Sequence, residues 1–149
     1  MYKAMLALHL LTAIFAIGPL IHMVTTAARG IRGGDADATA ASARSASIYT
    51  FVSTVVVIAG FGLMSAPDPW DDGPTAKFAE PFIWVSLILW LAAALISLIL
   101  VVPTLEKATD RIRAGEAVGE LTGRVAAGGG VIALLFAVIV VLMVYRPGS

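Results

Sequence analysis

Four long apolar segments alternate with shorter polar connections along the 149-residue chain. The apolar segments cover about residues 4–28, 48–64, 82–102 and 125–145, and none of them contains Asp, Glu, Lys or Arg. Each is long enough to cross the hydrocarbon core of a bilayer as an α-helix. The pattern therefore predicts an all-α membrane protein with four transmembrane helices.

The polar connections contain residues that commonly start and stop helices. Gly33 and Gly34 mark a turn, after which Asp35 is placed to cap an Ala-rich helix that runs into the second apolar segment. Pro81 stands at the start of the third helix, and Gly115 follows a helical extension of that helix beyond the membrane. We therefore expect an up-down-up-down four-helix bundle that forms a single domain over residues 1–149.

Composition agrees with this fold class and excludes several functions. Hydrophobic residues make up 59% of the chain and charged residues 13%, whereas charged residues form about a quarter of a soluble domain. The net charge is zero without a basic block, so we expect no nucleic-acid partner. The chain has no cysteine, which excludes disulfides and thiolate metal sites. The expected partner is the lipid bilayer, with a homo-oligomer or a larger membrane complex as further options.

Basic residues are distributed unevenly between the two ends of the predicted bundle. The first and third connections contain Arg29, Arg32, Arg44, Lys107, Arg111, Arg113 and Arg124. Only Lys3, Lys77 and Arg146 lie at the opposite end. By the positive-inside rule, the two basic connections face the cytoplasm. We therefore expect a multi-pass protein of the bacterial plasma membrane whose N and C termini are both extracytoplasmic.

The only two histidines of the chain, His9 and His22, both lie in the first apolar segment. Their separation of thirteen residues corresponds to about 20 Å along a helix axis and about 140° around it. They cannot bind one metal ion within a single chain, and we predict no metal site. The outer half of the bundle, at the level of His9, is expected to be apolar and aromatic.

Small and polar residues are expected at the level of His22. Antiparallel helices would place Ser53, Ser97 and Gly129, the middle residue of three successive glycines, near this histidine. These four residues are candidates for lining a ligand pocket. They are equally explained by packing, with His22 hydrogen-bonded to a neighbouring helix and the glycines allowing close helix approach. The sequence leaves both interpretations open.

No recognisable catalytic pattern occurs in the sequence. It has no Ser-His-Asp set, paired carboxylates or Gly-rich phosphate loop, and its spans lack the carboxylates that proton-coupled carriers use. We therefore assign no catalytic residue. The expected function is that of a non-enzymatic accessory protein or a protein that binds a small ligand.

Two resemblances add a second hypothesis. The segment ALHLL at residues 7–11 resembles the opening of the small four-helix membrane family that includes the HemJ-type protoporphyrinogen oxidases. That resemblance implies haem b as a cofactor, with His9 as an axial ligand, and a membrane oxidoreductase as the enzyme class. Where that family has a lysine early in its third span, this chain has Ser86.

The strings LHLLTAIFAIGPLIH, VIAGFGLMS and LMVYRPGS are similar, over most of the chain, to predicted integral membrane proteins of domain-of-unknown-function family 2269. This second resemblance implies the four-helix fold and a membrane location without an established reaction. The alternative to a non-enzymatic protein is therefore a membrane redox protein that binds haem b or another porphyrin through His9.

Overall fold

The structure is a computed structural model that describes residues 1–70 and 73–148. These residues form the helices α1 (Tyr2–Arg32), α2 (Ala36–Met64), α3 (Pro81–Leu95), α4 (Val102–Arg113) and α5 (Gly119–Tyr145). A π-helical segment, Ile96–Val101, joins α3 to α4, so that Pro81–Arg113 is one continuous helix. The described chain thus contains four helices long and apolar enough to cross a membrane, which confirms the all-α prediction and the predicted number of helices of spanning length.

Capping residues set several helix boundaries as the sequence predicts. The Asp35 carboxylate accepts a 2.9 Å hydrogen bond from the N–H of Ala38, which satisfies one free donor at the start of α2. Pro81 occupies the first turn of α3, where a missing N–H removes no helical hydrogen bond. Gly115 follows the end of α4 with a φ of 73°, a conformation that favours glycine.

The helices are longer than the apolar segments that predict them. α2 begins at Ala36 and α5 at Gly119, each several residues before its apolar segment. The added turns contribute to the core, since Ala43 of α2 and Leu121 of α5 are both buried in it. The helices therefore extend beyond the apolar segments that would cross the hydrocarbon core of a bilayer.

The π-helical segment explains how one helix continues past Pro103. A proline lacks an N–H, and its ring clashes with the carbonyl group four residues earlier in an α-helix. Just before this proline, the N–H of Val102 instead donates to the carbonyl of Ser97, five residues back. This wider turn lets the chain pass Pro103 and continue to Arg113. Sequence patterns did not predict the π-helical segment.

The hydrophobic core is concentrated around the second half of α1. α1 packs against α2 and α5, and α2 packs against α4. The largest apolar side chains that are fully buried are Leu20, Val24, Val101, Leu105, Val125 and Ile132. In the other half of the bundle, α2 and α3 make few contacts with each other.

Two successive glycines of α5 lie where helices approach most closely. A Cβ atom on Gly129 would fall 2.1 Å from the carbonyl oxygen of Val24 in α1, and one on Gly128 would fall 2.7 Å from Cγ2 of Val101. Gly130 has no described atom within 4 Å of its Cβ position. The first two glycines therefore let α5 pack against α1 and the π-helical segment.

We call one end of the bundle the terminal end because both chain termini contact the second connection there. The Tyr2 ring meets Trp70 edge-on, with 5.9 Å between the ring centroids. Near the C terminus, Nη1 of Arg146 donates a 3.4 Å hydrogen bond to the carbonyl of Thr75. These contacts hold the terminal end together outside the helices.

We call the other end the basic end because it carries the first and third connections. The hydroxyl groups of Thr39 and Thr109 share a 2.7 Å hydrogen bond between α2 and α4. The guanidinium of Arg113 lies 3.7 Å from the Asp37 carboxylate across the same pair of helices. The α2–α4 contact is thus fixed by polar groups at this end.

Candidate functional site

A cavity of about 370 Å³ lies in the half of the bundle nearest the terminal end. It exists because α1 packs on α2 and α3 packs on α5, while α2 and α3 make few contacts with each other before the π-helical segment. The lining is mostly apolar, and its polar side chains are His9, Thr75, Ser86, Trp90 and Arg146. A concave apolar site with a few polar groups is the usual form of a small-molecule site.

His9 lines this cavity with its ring held against α2. Its Nδ1 atom lies 3.1 Å from the carbonyl oxygen of Val56. Because a carbonyl oxygen can only accept, this contact assigns the imidazole proton to Nδ1 and leaves a lone pair on Nε2. The ring can therefore accept a hydrogen bond or coordinate a metal through Nε2, and the Val56 carbonyl fixes its orientation.

Gly60, one turn after Val56 in α2, allows this histidine contact. A Cβ atom at position 60 would lie 3.2 Å from Cε1 of His9 and 3.5 Å from its Nδ1. The first distance is shorter than an ordinary van der Waals contact, so a side chain there would push the imidazole away from the Val56 carbonyl. Gly60 therefore leaves room for the imidazole ring in an otherwise apolar and largely β-branched part of α2.

Ser86 of α3 supplies a hydroxyl group that has no hydrogen-bond partner among the described residues. Eight Ser and Thr side chains are buried in the described chain, and Ser86 is the one whose hydroxyl lacks a hydrogen bond. The residue is only 3% exposed and lines the cavity. The other buried hydroxyls bond to a backbone carbonyl or to another hydroxyl, and Thr50 does both. The unpartnered hydroxyl is therefore available to a polar group of a molecule in the cavity.

Trp90 also lines the cavity and connects it to a chain of hydrogen bonds between helices. Its indole Nε1–H donates to Oγ of Ser53 at 2.9 Å, and Ser53 donates to the carbonyl of Thr50 at 2.6 Å. The Thr50 hydroxyl in turn shares a 2.7 Å bond with Ser97 of the π-helical segment. These bonds join α2 to the third span where the two helices come together.

Three aromatic rings bridge the gap between α2 and α3 near the terminal end. Phe78 of the second connection lies 5.9 Å from Phe61 of α2 and 4.7 Å from Trp84 of α3, between ring centroids. Phe61 belongs to the cavity lining and is partly exposed. The aromatic contacts therefore partly cover the side of the cavity where α2 and α3 diverge.

The residues proposed for an inner pocket are not brought together. His22 is exposed on the surface of α1, and Val24, two residues further along, is buried against Gly129. Positions two apart point to nearly opposite sides of a helix, so His22 faces away from α5. Ser53 and Ser97 are buried within the interhelical hydrogen bonds described above. Ser53, Ser97 and Gly129 have packing roles in the structure. His22 does not line the cavity.

The sequence analysis did not propose Ser86 as a binding residue. The available signal was its isolation, since it is the only hydroxyl residue between Pro81 and Ile96. Whether such a serine bonds to its own helix or remains unpartnered depends on the local geometry. The position of Ser86 beside the cavity is evident only from the structure.

Within the described residues, no group of three or more His, Cys, Asp or Glu side chains is arranged to hold a metal ion. Comparisons with family models, with curated proteins and with solved structures find no match for this chain.

Proposed function

We propose that this protein is a membrane-embedded binding protein for a small apolar molecule that carries one polar group. The observation that supports this most strongly is the Ser86 hydroxyl, which is buried in an apolar cavity without a partner. Leaving a buried hydroxyl unsatisfied costs about 1–3 kcal/mol. A ligand oxygen at this position would remove that penalty while the rest of the ligand fills the apolar space.

The second polar group of the cavity narrows the class of ligand. With its proton on Nδ1, His9 offers Nε2 as an acceptor, whereas Ser86 can both donate and accept. A hydroxyl group on the ligand could donate to Nε2 of His9 and accept from the Ser86 hydroxyl. Lipophilic alcohols, phenols and quinols carry such a hydroxyl, and they partition into bilayers, from which they could reach this cavity.

The test compares two probes that differ by one hydroxyl group, decane and 1-decanol, on the full chain in lipid nanodiscs. We expect decanol to raise the melting temperature more than decane, because a ligand that binds the folded state stabilises it. Ser86→Ala should abolish the difference. Ser65→Ala is the control, since the Ser65 hydroxyl bonds to Phe61 of its own helix. Equal effects of decanol on the original protein and on Ser86→Ala would contradict the proposal.

A haem is the second candidate ligand, and the His9 contact favours it specifically. An imidazole whose Nδ1–H donates to a backbone carbonyl presents Nε2 for coordination, which is the usual arrangement of a ligating histidine. The thioethers of Met64 and Met143 line the same cavity and belong to a residue type that also serves as an axial ligand. Haem, when bound, would supply one-electron chemistry, and these side chains would hold and orient it.

Absorption spectra of the purified protein test the haem candidate. We expect a Soret band that His9→Ala removes or shifts and that His22→Ala leaves intact, because His22 lies outside the cavity. A protein that remains colourless after expression with added haem precursor would exclude this candidate. An unchanged spectrum in His9→Ala would exclude His9 as the ligand.

We also infer that the helices alternate in direction and that the terminal end faces the outside of a bacterial plasma membrane. The contacts at each end support the alternation, and the excess of Lys and Arg at the basic end supports the orientation. Because the chain has no cysteine, single substitutions can be labelled. A membrane-impermeant thiol reagent should modify Ala79→Cys but not Ala41→Cys in intact cells. The reverse labelling pattern would invert the proposed orientation.

A further inference from the structure

A groove of about 490 Å³ lies between α2 and α4 at the basic end, separate from the cavity described above. One wall consists of residues at helical spacing on α2, and the other of residues 106, 109, 110 and 113 on one face of α4. The space exists because Ala40 and Ala43 present only methyl groups to α4. The Arg113–Asp37 contact crosses between the helices at the end of the groove furthest from the apolar part of α2.

The groove is lined by charges of both signs that do not neutralise one another. Arg44 lies on the α2 wall, while Glu106 and Asp110 lie on the α4 wall. Within the described residues, none of these three side chains has an ion-pair partner within 4.0 Å. The site therefore offers the cationic Arg44 on one wall and the anionic Glu106 and Asp110 on the other. Arg113, the third charged residue of the α4 wall, already lies 3.7 Å from Asp37.

The groove continues directly onto a surface suited to acyl chains. Ile48, one turn after Arg44 on the same face of α2, also lines the groove and is 51% exposed. The exposed side chains of Phe51, Val52 and Val55 extend the same face along the helix. A molecule with its charged part beside Arg44 would therefore have an apolar surface available immediately below.

We propose that this groove binds the head group of a zwitterionic phospholipid that carries a primary ammonium, such as phosphatidylethanolamine. The phosphate is recognised by the Arg44 guanidinium, which forms charge-assisted hydrogen bonds with phosphate oxygens. The ammonium donates to the carboxylates of Glu106 and Asp110, and the acyl chains follow the exposed face of α2. The lipid thereby links the two charged walls that the protein leaves unpaired.

The experiment uses the full-length, delipidated protein in detergent and measures bound lipid by native mass spectrometry. Phosphatidylethanolamine, phosphatidylcholine and phosphatidylglycerol with identical acyl chains are added separately, with soluble phosphoethanolamine as a competitor. Phosphatidylethanolamine should bind best, because the quaternary ammonium of phosphatidylcholine has no N–H to donate and phosphatidylglycerol has no ammonium. Loss of one charge-assisted hydrogen bond should weaken binding on the order of tenfold.

Two variants separate the roles of the walls. Arg44→Ala should lower the binding of all three lipids, whereas the double variant Glu106→Gln/Asp110→Asn should remove only the preference for phosphatidylethanolamine. Arg124→Ala and Glu116→Gln are matched controls at the same end but outside the groove. An unchanged melting temperature shows that each variant is folded.

Three outcomes would overturn the proposal. Equal or stronger binding of phosphatidylglycerol by the unaltered protein would indicate a simple anion site. Competition by phosphoethanolamine at concentrations equal to the lipid would indicate a site for a soluble metabolite rather than a lipid. Unchanged lipid binding by Arg44→Ala would place the bound lipid elsewhere on the bundle.

Discussion

The substitution Gly129→Ala isolates the close contact between α1 and α5 with a single methyl group. Its Cβ would lie 2.1 Å from the Val24 carbonyl oxygen, 2.7 Å from the Val24 carbonyl carbon and 3.2 Å from the Thr25 nitrogen. All three are backbone atoms, so no side-chain rotation can relieve the overlap. The two helices must move apart locally.

The loss of stability in Gly129→Ala depends on how far the added methyl group must displace the neighbouring helix. An ordinary contact begins near 3.4 Å, so the Val24 carbonyl must withdraw by about 1.3 Å. Overpacking of this kind typically costs about 1–3 kcal/mol, and the separation would also weaken contacts of buried neighbours along the same interface. For a chain of this length we expect the melting temperature to fall by roughly 2–12 °C.

Thermal unfolding in detergent measures this effect against two neighbouring controls. Gly130→Ala meets no described atom within 4 Å and should leave the melting temperature unchanged or raise it, because alanine favours helix. Gly128→Ala should lie between the two, since its closest contact is a side-chain methyl of Val101. Equal melting temperatures for the Gly129 and Gly130 variants would refute the assignment of the close contact to position 129.

Two further predictions concern local hydrogen bonds. Gly60→Ala should displace the His9 ring by a few tenths of an ångström and lengthen its 3.1 Å contact with α2, so that the His9 signal moves in ¹⁵N-histidine NMR spectra. Movement of the His22 signal with an unchanged His9 signal would contradict this. Asp35→Ala should lower the free energy of unfolding by about 1 kcal/mol, since it removes the N-cap of α2. Asp37→Ala is the control, because its exposed ion pair contributes little, and equal losses in chemical denaturation would argue against the cap.

Sequence patterns were sufficient for the features that depend on local chemistry. Apolar length predicts the four spans, and the Asp35 cap and the Pro81 start follow from what those residues do at any helix end. The side of each helix that faces its neighbours was harder to predict. In a membrane helix both the lipid face and the core face are apolar, so polarity does not indicate direction. His22 illustrates this. Its depth is consistent with the predicted pocket, but its side chain is exposed on the surface of α1 and faces away from Gly129.

The cavity was beyond the reach of sequence patterns for a different reason. It results from the divergence of α2 and α3, a property of how whole helices pack rather than of any one segment. The histidine at its wall was singled out from the sequence, but the Val56 carbonyl that orients it belongs to a backbone and has no sequence signature. Glycine alone does not mark a contact either, since Gly129 lies at a close approach whereas Gly18 and Gly130 do not.

The π-helical segment sets the rotation of α4 relative to α3 within one continuous helix. An extra residue in one turn rotates everything that follows by about 100° relative to an unbroken α-helix. The relative direction of the α3 face that carries Ser86 and the α4 face that carries Glu106 therefore depends on this segment. Deleting one residue from Ile96–Val101 would restore an unbroken α-helix and turn the Glu106 face by about 100° relative to the Ser86 face, away from its present position opposite α2.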